Sequence, residues 1–165
     1  MLIIETTIPF DQNLIDGKTI DFLEIEWFEA TRRILRRKSK NGLDVAIKRN
    51  EITELQHQDI LWQDQNQILL LSILPCPAIK IECNDLFQTA SLCYDIGNRH
   101  APIFWESNTV FLPYDEPMFQ MLGMHGYQPK KESRILRNML RTNIPRHGHV
   151  DDSEGILTKI LKKIQ

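Results

Sequence analysis

The chain has 165 residues, of which 42% are hydrophobic and 25% are charged, a balance typical of globular proteins and not of disordered or fibrous ones. Its formal net charge of −2 gives no electrostatic reason to expect nucleic acid as a partner. The longest apolar run, residues 68–74, is far too short to cross a bilayer, so we expect no membrane partner either.

The cysteines and the first residues indicate a compartment. Cys76, Cys83 and Cys93 make an odd number with no C-x-x-C pair, which favours reduced thiols over a disulfide framework. Residues 1–10 lack the basic region and cleavage site of a secretory signal. Both observations predict a cytoplasmic protein.

The first half of the chain has the patterns of β-strands. Residues 22–28 alternate apolar and acidic side chains, which is the period of a half-buried strand. Residues 33–49 hold two strand-like pieces around Asn41-Gly42, a dipeptide suited to a tight hairpin turn, and residues 59–74 repeat this plan. We therefore predict a small β-rich domain over residues 1–74, with no helix of substance.

The second half mixes strands and helices. The segment "LPCPA", residues 74–78, predicts an interdomain connection because its prolines lack backbone donors. Elements then follow as a strand (78–83), a helix capped by Asn84, two strands (102–106 and 109–113), a helix (116–126) and residues 133–140, which suit a strand or a helix. The order β-α-β-β-α-β predicts a ferredoxin-like domain over residues 75–144, and thus an α+β protein.

Apolar residues recur at helical spacing in the helix that follows Asn84 and near the end of the chain. On the helix that follows Asn84, one face carries Leu86, Phe87, Ala90, Cys93, Tyr94 and Gly97, and we expect this face to be buried. Residues 145–165 predict a flexible tail, which ends in a short amphipathic helix after Ser153. The apolar face of that helix, Ile156, Leu157, Ile160, Leu161 and Ile164, must be buried against this chain or another.

His100 lies just past the predicted end of a helix, in "GNRHAP". One interpretation is a C-terminal cap; the other is a metal ligand. A single imidazole cannot hold a metal firmly, but a two-fold dimer can bring the same residue from each chain to one axis. We expect His57 to be a surface loop residue without function and His125 to serve the end of the second helix.

His147 and His149 form "HGH" in the tail, followed by acidic residues. In an extended chain, side chains two residues apart point to the same side, so both imidazoles can face one ion. Imidazole suits nickel, copper and zinc. A solvated loop is the alternative.

Two other patterns argue against nucleic-acid binding and catalysis. The main basic cluster comprises Arg32, Arg33, Arg36, Arg37, Lys38 and Lys40. No aromatic RNA-binding signature accompanies this cluster, so a solvated hairpin face or a protein-docking surface is favoured.

No glycine-rich phosphate loop, G-x-S-x-G elbow or H-E-x-x-H motif is present, so we expect no enzyme.

The segment "LCYDIGNRHAPIFWE" resembles the hallmark of the UreE family of urease accessory metallochaperones, which carries a similar "YxxGNRHxP" run. Similarity extends to "DEPMFQMLGMHG" and to "LEIEWFEATRRILRRKSKNGLDVAI", so it covers about residues 1–126. Where relatives carry extra histidines this chain has Asp95, Tyr114 and Glu116, which argues against auxiliary metal sites there.

The resemblance implies a nickel carrier for urease maturation, built from a peptide-binding-like β domain and a ferredoxin-like metal domain. His100 would be the interfacial ligand of a homodimer, with His147 or His149 completing the site; Zn²⁺ or Cu²⁺ can also bind such ligands. The implied partners are the urease-maturation GTPase and, through its complex, apo-urease. The rival hypothesis is a protein-binding adaptor in which His100 is only structural.

Overall fold

Strands dominate the N-terminal half of the computed structural model, which describes residues 1–50 and 54–140. The strands are β1 Leu2–Ile4, β2 Thr19–Ile25, β3 Ile34–Lys38, β4 Asp44–Lys48, β5 Ile60–Gln63 and β6 Gln67–Ile73. They form two three-stranded sheets, ordered β1-β4-β3 and β2-β6-β5. The only helices in the described part of this half are single 3-10 turns at Gln12–Leu14 and Trp27–Glu29. The predicted hairpins are thus confirmed, while the short strand β1 was not foreseen.

The C-terminal half combines one sheet with two helices. Its elements are β7 Cys76–Glu82, α1 Leu86–Gly97, β8 Phe104–Glu106, β9 Thr109–Pro113, α2 Glu116–Met124 and β10 Lys130–Arg134. The four strands are antiparallel and ordered β10-β7-β9-β8. The protein is therefore α+β, as predicted. No helix in the described ranges is long and apolar enough to cross a membrane.

The predicted strand 22–28 lies earlier, since β2 ends at Ile25 and a 3-10 turn follows, and three boundaries of the C-terminal half also differ from the sequence prediction. β7 begins at Cys76, inside "LPCPA", so the predicted connection is shorter than expected. The cap of α1 is Asp85 and not Asn84, because the Asp85 carboxylate accepts a hydrogen bond from the Gln88 N–H at 2.8 Å. The last strand precedes most of the predicted segment 133–140.

Residues after β10 cross the molecule to the free edge of β8. The Trp105 N–H donates to the Asn138 carbonyl at 3.2 Å, and the Leu140 N–H donates to the Ile103 carbonyl at 2.7 Å. These bonds satisfy backbone groups that an edge strand leaves unpaired. They also hold Leu140 beside Ile103, which comes just before β8 and three residues after His100.

Trp27 joins the two halves of the chain, each of which has its own core. One core lies between the sheets of the first half, and the other lies between α1, α2 and the four-stranded sheet. Trp27 packs on the first core and also on a smaller cluster containing Phe104. The Trp27 and Phe104 rings are 5.5 Å apart in an edge-to-face arrangement, which is favoured for aromatic pairs. Trp27 therefore ties one half to the other.

The predicted orientation of α1 is wrong. Its buried residues are Leu92 and Ile96, with Cys93 half-buried. The exposed face is formed by Leu86, Phe87, Ala90, Tyr94 and Gly97, called here the α1 stripe. Phe87 is 82% exposed and Tyr94 is 69% exposed. The expectation failed because α1 has apolar residues on both faces, and Leu92 and Ile96 pack on the sheet.

His57 lies in a loop, as expected, but it is not fully at the surface. It is half-buried, and its Nδ1 atom accepts a hydrogen bond from the Ile73 N–H at 3.1 Å. Burial, and then the positive charge of Arg137, lower the pKa of this imidazole. The neutral ring thus satisfies the backbone N–H of the last residue of β6.

This arrangement makes stability depend on pH. Below the ordinary histidine pKa of about 6.5, the unfolded chain takes up a proton that the folded His57 resists, so acidification favours unfolding. We expect His57→Asn, whose amide oxygen can still accept from Ile73, to lose up to about 1 kcal/mol at pH 8. Its deficit should shrink between pH 7 and pH 5, as measured by urea unfolding of both proteins. All other titrating groups are shared, so a deficit that stays constant or grows would contradict this role.

Candidate metal centre

The backbone presents His100 at the end of α1. The helix ends at Gly97, and the His100 N–H donates to the Gly97 carbonyl at 2.9 Å. His100 itself has φ of 55°, in the left-handed region, which glycine adopts without steric cost and most other residues adopt only with strain. A histidine thus occupies a position whose backbone would suit glycine.

The imidazole of His100 is exposed. Among residues 1–50 and 54–140, no hydrogen bond or ion pair joins it to a neighbour. The backbone N–H of His100, and not its ring, satisfies a helix carbonyl. The capping interpretation therefore accounts for the main chain and leaves the side chain unexplained.

The α1 stripe leads along the helix to His100. Phe87, Ala90, Tyr94 and Gly97 succeed one another at helical spacing, and His100 follows three residues later. Large apolar side chains seldom form a continuous exposed row on a monomer, and such rows mark interaction sites. The histidine is therefore placed at the end of an apolar surface that lacks a partner among the described residues.

Asp95 and His125 form a separate pair. The distance from His125 Nδ1 to Asp95 Oδ2 is 3.1 Å, and the Tyr127 hydroxyl donates to the same oxygen at 3.4 Å. Burial, with a contribution from the Asp95 charge, raises the pKa of the Tyr127 phenol. His125 is the C-cap residue of α2, as its expected role requires, and the hydrogen bonds occupy Asp95.

Tyr114 and Glu116 also have partners within the fold. The Tyr114 hydroxyl donates to the Glu116 carboxylate, which further accepts from the Gln120 amide at 2.8 Å. The Lys131 ammonium lies 3.8 Å from the centre of the Tyr114 ring. A cation already in place on this ring disfavours a second, metal cation there.

The predicted ligands are not brought together in the described ranges. His147 and His149 lie outside the residues that the structure describes, as do the predicted tail and its helix. Within residues 1–50 and 54–140, no three His, Cys, Asp or Glu side chains are close enough to hold a metal ion. A metal site at His100 therefore requires ligands from a second chain or from residues outside the described ranges.

Acidic side chains compensate much of the basic cluster. The buried Glu29 carboxylate pairs with Arg37 and with Arg32, the latter at 3.6 Å. Lys40 pairs with Glu24 at 2.8 Å, and Lys38 lies 3.8 Å from an Asp44 oxygen. These pairs explain why a large basic cluster gives little excess charge for a phosphate backbone to meet.

Comparison with known proteins identifies the family. The family model of the UreE urease accessory protein N-terminal domain matches residues 4–73, and that of the C-terminal domain matches residues 77–155. The urease accessory protein UreE of Flavobacterium johnsoniae is 40% identical over 148 residues, which are 89% of each chain. That of Acetivibrio thermocellus is 37% identical over 130 residues, covering 79% of this chain and 85% of its own. That of Helicobacter acinonychis is 34% identical over 134 residues, 79% of this chain and 76% of its own.

The chain therefore belongs to the UreE family of urease accessory proteins. It has a role in urease maturation and is not an enzyme.

Proposed function

We propose that this chain carries nickel for urease maturation as a homodimer, which holds Ni²⁺ between the His100 imidazoles of its two subunits. The observation that carries the proposal is the α1 stripe, because Phe87 and Tyr94 are exposed on a helix that ends three residues before His100, whose imidazole has no partner among the described residues. A second copy that covers the stripe about a two-fold axis near His100 buries the apolar surface and brings the two imidazoles together.

The C-terminal tail supplies further ligands in this proposal. The Leu140 N–H is bound to the Ile103 carbonyl, so residue 140 lies beside the loop that carries His100. Seven further residues reach up to about 25 Å in an extended chain. His147 and His149 are therefore within reach of His100 without any change in the described fold.

The domain organisation that accompanies the proposal has three parts. Residues 1–74 form a β-rich, peptide-binding-like domain, residues 75–144 a ferredoxin-like metal domain, and residues 145–165 a tail. The strand order β10-β7-β9-β8, with helices after β7 and β9, supports the second part. The first family match ends at residue 73 and the second begins at residue 77, which supports the first boundary.

Delivery proceeds by docking and ligand exchange, with the urease-maturation GTPase as the direct partner and apo-urease reached through its complex. All three cysteines are free, which suits the reducing cytoplasm in which this assembly would work. Imidazole ligands do not select nickel by themselves, since Cu²⁺ binds them more tightly and Zn²⁺ also fits.

Nickel titration combined with mass in solution tests the proposal. We expect the unaltered chain to be a dimer that binds one Ni²⁺ per two chains. Phe87→Glu places two charges in the proposed interface, so it should give monomers and lower nickel affinity by at least about a hundredfold, as expected when ligands are separated.

Ile34→Glu is the matched control, since Ile34 is 75% exposed on β3, in the other half of the chain. It should keep both the dimer mass and the nickel stoichiometry. If the Phe87→Glu protein remains a dimer, or binds nickel as a monomer with unchanged affinity, the shared site is wrong.

A further inference from the structure

A groove of about 420 Å³ lies beside the loop that carries His100, where the two halves of the chain meet. Trp27 of the first half and Pro102, Pro117 and Met118 of the second half contribute apolar lining. Arg99 and Ala101, the neighbours of His100 in the chain, also line it. The described residues leave this groove open, although it is mostly apolar.

The chain leaves the described part of the fold next to this groove. Leu140 is hydrogen-bonded to Ile103, which directly follows the groove residue Pro102, and Met139 pairs with Phe104. Ile144 is the fourth residue after Leu140, a span of up to about 14 Å when the chain is extended. The next stretch of chain thus begins at the groove wall.

We propose that Ile144 and Pro145 bind in this groove and anchor the tail, so that His147 and His149 are held beside His100. The inference rests on the proposed function and adds how the tail ligands are positioned. Ile144 and Pro145 are the first apolar residues after Leu140, since Arg141, Thr142 and Asn143 are polar.

The chemistry of the groove fits this occupant. Proline-containing segments dock in aromatic-lined grooves because their backbone is already restrained and loses little entropy on binding. Trp27 offers such an aromatic surface, and Met118 offers an adaptable apolar one.

Anchoring has a direct consequence for the metal site. His147 and His149 follow Pro145 by two and four residues. A fixed Pro145 therefore restricts both imidazoles to a small volume near His100. Restricting tethered ligands in this way raises their effective concentration and lowers the entropy lost when they bind.

Disulfide trapping in the metal-free, full-length chain tests the anchor. Pro117 is exposed in the groove, so Pro117→Cys combined with Ile144→Cys should form a disulfide within one chain under oxidised glutathione. The matched control combines Pro117→Cys with Thr158→Cys, which places the second thiol farther along the tail. We expect the first pair to close at least about tenfold faster, because anchoring raises effective concentration.

Peptide mapping separates these bonds from those of the three native thiols, which both variants share. Equal closure rates in the two variants would overturn the proposal. So would a disulfide that joins two chains and doubles the mass, because the groove would then receive a segment from a second copy.

A nickel titration links the anchor to function. Ile144→Asp, which keeps both tail histidines, should weaken nickel binding as much as His147→Ala with His149→Ala does. Val150→Asp makes the same change outside the anchor and should bind nickel like the unaltered chain. An Ile144→Asp protein with unchanged affinity contradicts the anchor alone. The trapping result needs no metal, so it stands even if His100 binds no nickel.

Discussion

Replacing His100 by glycine should remove nickel binding while leaving the fold as stable as before, or more stable. The left-handed backbone at φ of 55° costs a non-glycine residue roughly 1–2 kcal/mol, a strain that glycine does not have. Glycine also makes the unfolded chain more flexible, which offsets about 0.5–1 kcal/mol of this gain. We therefore expect the free energy of unfolding to rise by zero to about 1.5 kcal/mol.

Nickel affinity should fall at least about a hundredfold in the same protein, since even residues that only orient metal ligands are worth about 10- to 100-fold. Urea unfolding and calorimetric titration measure the two effects on one preparation. His100→Ala is the control: it keeps the backbone strain, and should lose nickel equally with a stability change below about 0.5 kcal/mol.

This pair of variants separates the two interpretations of His100. If the imidazole capped α1, glycine would lower stability and leave nickel binding intact. If it is a ligand, metal binding is lost and stability is kept. If His100→Gly lost more than about 1 kcal/mol of unfolding free energy and kept full nickel affinity, His100 would have a structural role.

Removing the Glu29 carboxylate should be the most destabilising single change among the ion pairs described. The Glu29 side chain is only 3% exposed, pairs with Arg37 and Arg32, and accepts from the Glu26 N–H at 3.1 Å. Glu29→Ala leaves these donors without their acceptor, so we expect a loss of about 2–4 kcal/mol in urea unfolding. It should also loosen Trp27, which lies in the same 3-10 turn and joins the two halves.

Asp44→Ala is the matched control, because it breaks an exposed pair with Lys38 at 3.8 Å on the β3–β4 hairpin, which also carries Arg37. Exposed pairs contribute little, so its loss should stay below about 0.5 kcal/mol. Similar losses in the two proteins would mean that burial of Glu29 adds nothing to its ion pairs.

Alternation and turn residues were sufficient to predict most strands of this fold. They act locally, as the hairpin between β3 and β4 shows, where Gly42 adopts φ of 88°. Two of the contacts that were not predicted are nonlocal. The acceptor role of His57 depends on Ile73, 16 residues away, and the capping of the β8 edge depends on residues beyond β10.

The candidate site shows the same division. The pattern "GNRH" placed His100 just past a helix, and the structure puts it there with its side chain exposed. The pattern could not show which face of α1 is buried, because Phe87 and Tyr94 lie on one side while Leu92 and Ile96 lie on the other. Spacing gives the periodicity of a helix, whereas tertiary packing selects the buried face. The roles of His147 and His149 remain predictions.

The parallel pairings of the first half affect how this chain is made. Leu23 on β2 pairs with Leu71 on β6, 48 residues later, and Leu2 on β1 pairs with Val45 on β4. At about 5–20 residues per second, a ribosome needs roughly 2–10 s to supply β6 after β2 has been synthesised. During that interval the apolar side chains of β2 have no sheet to join. The N-terminal half therefore cannot complete its sheets until β6 has been synthesised, and until then the early strands are exposed to aggregation.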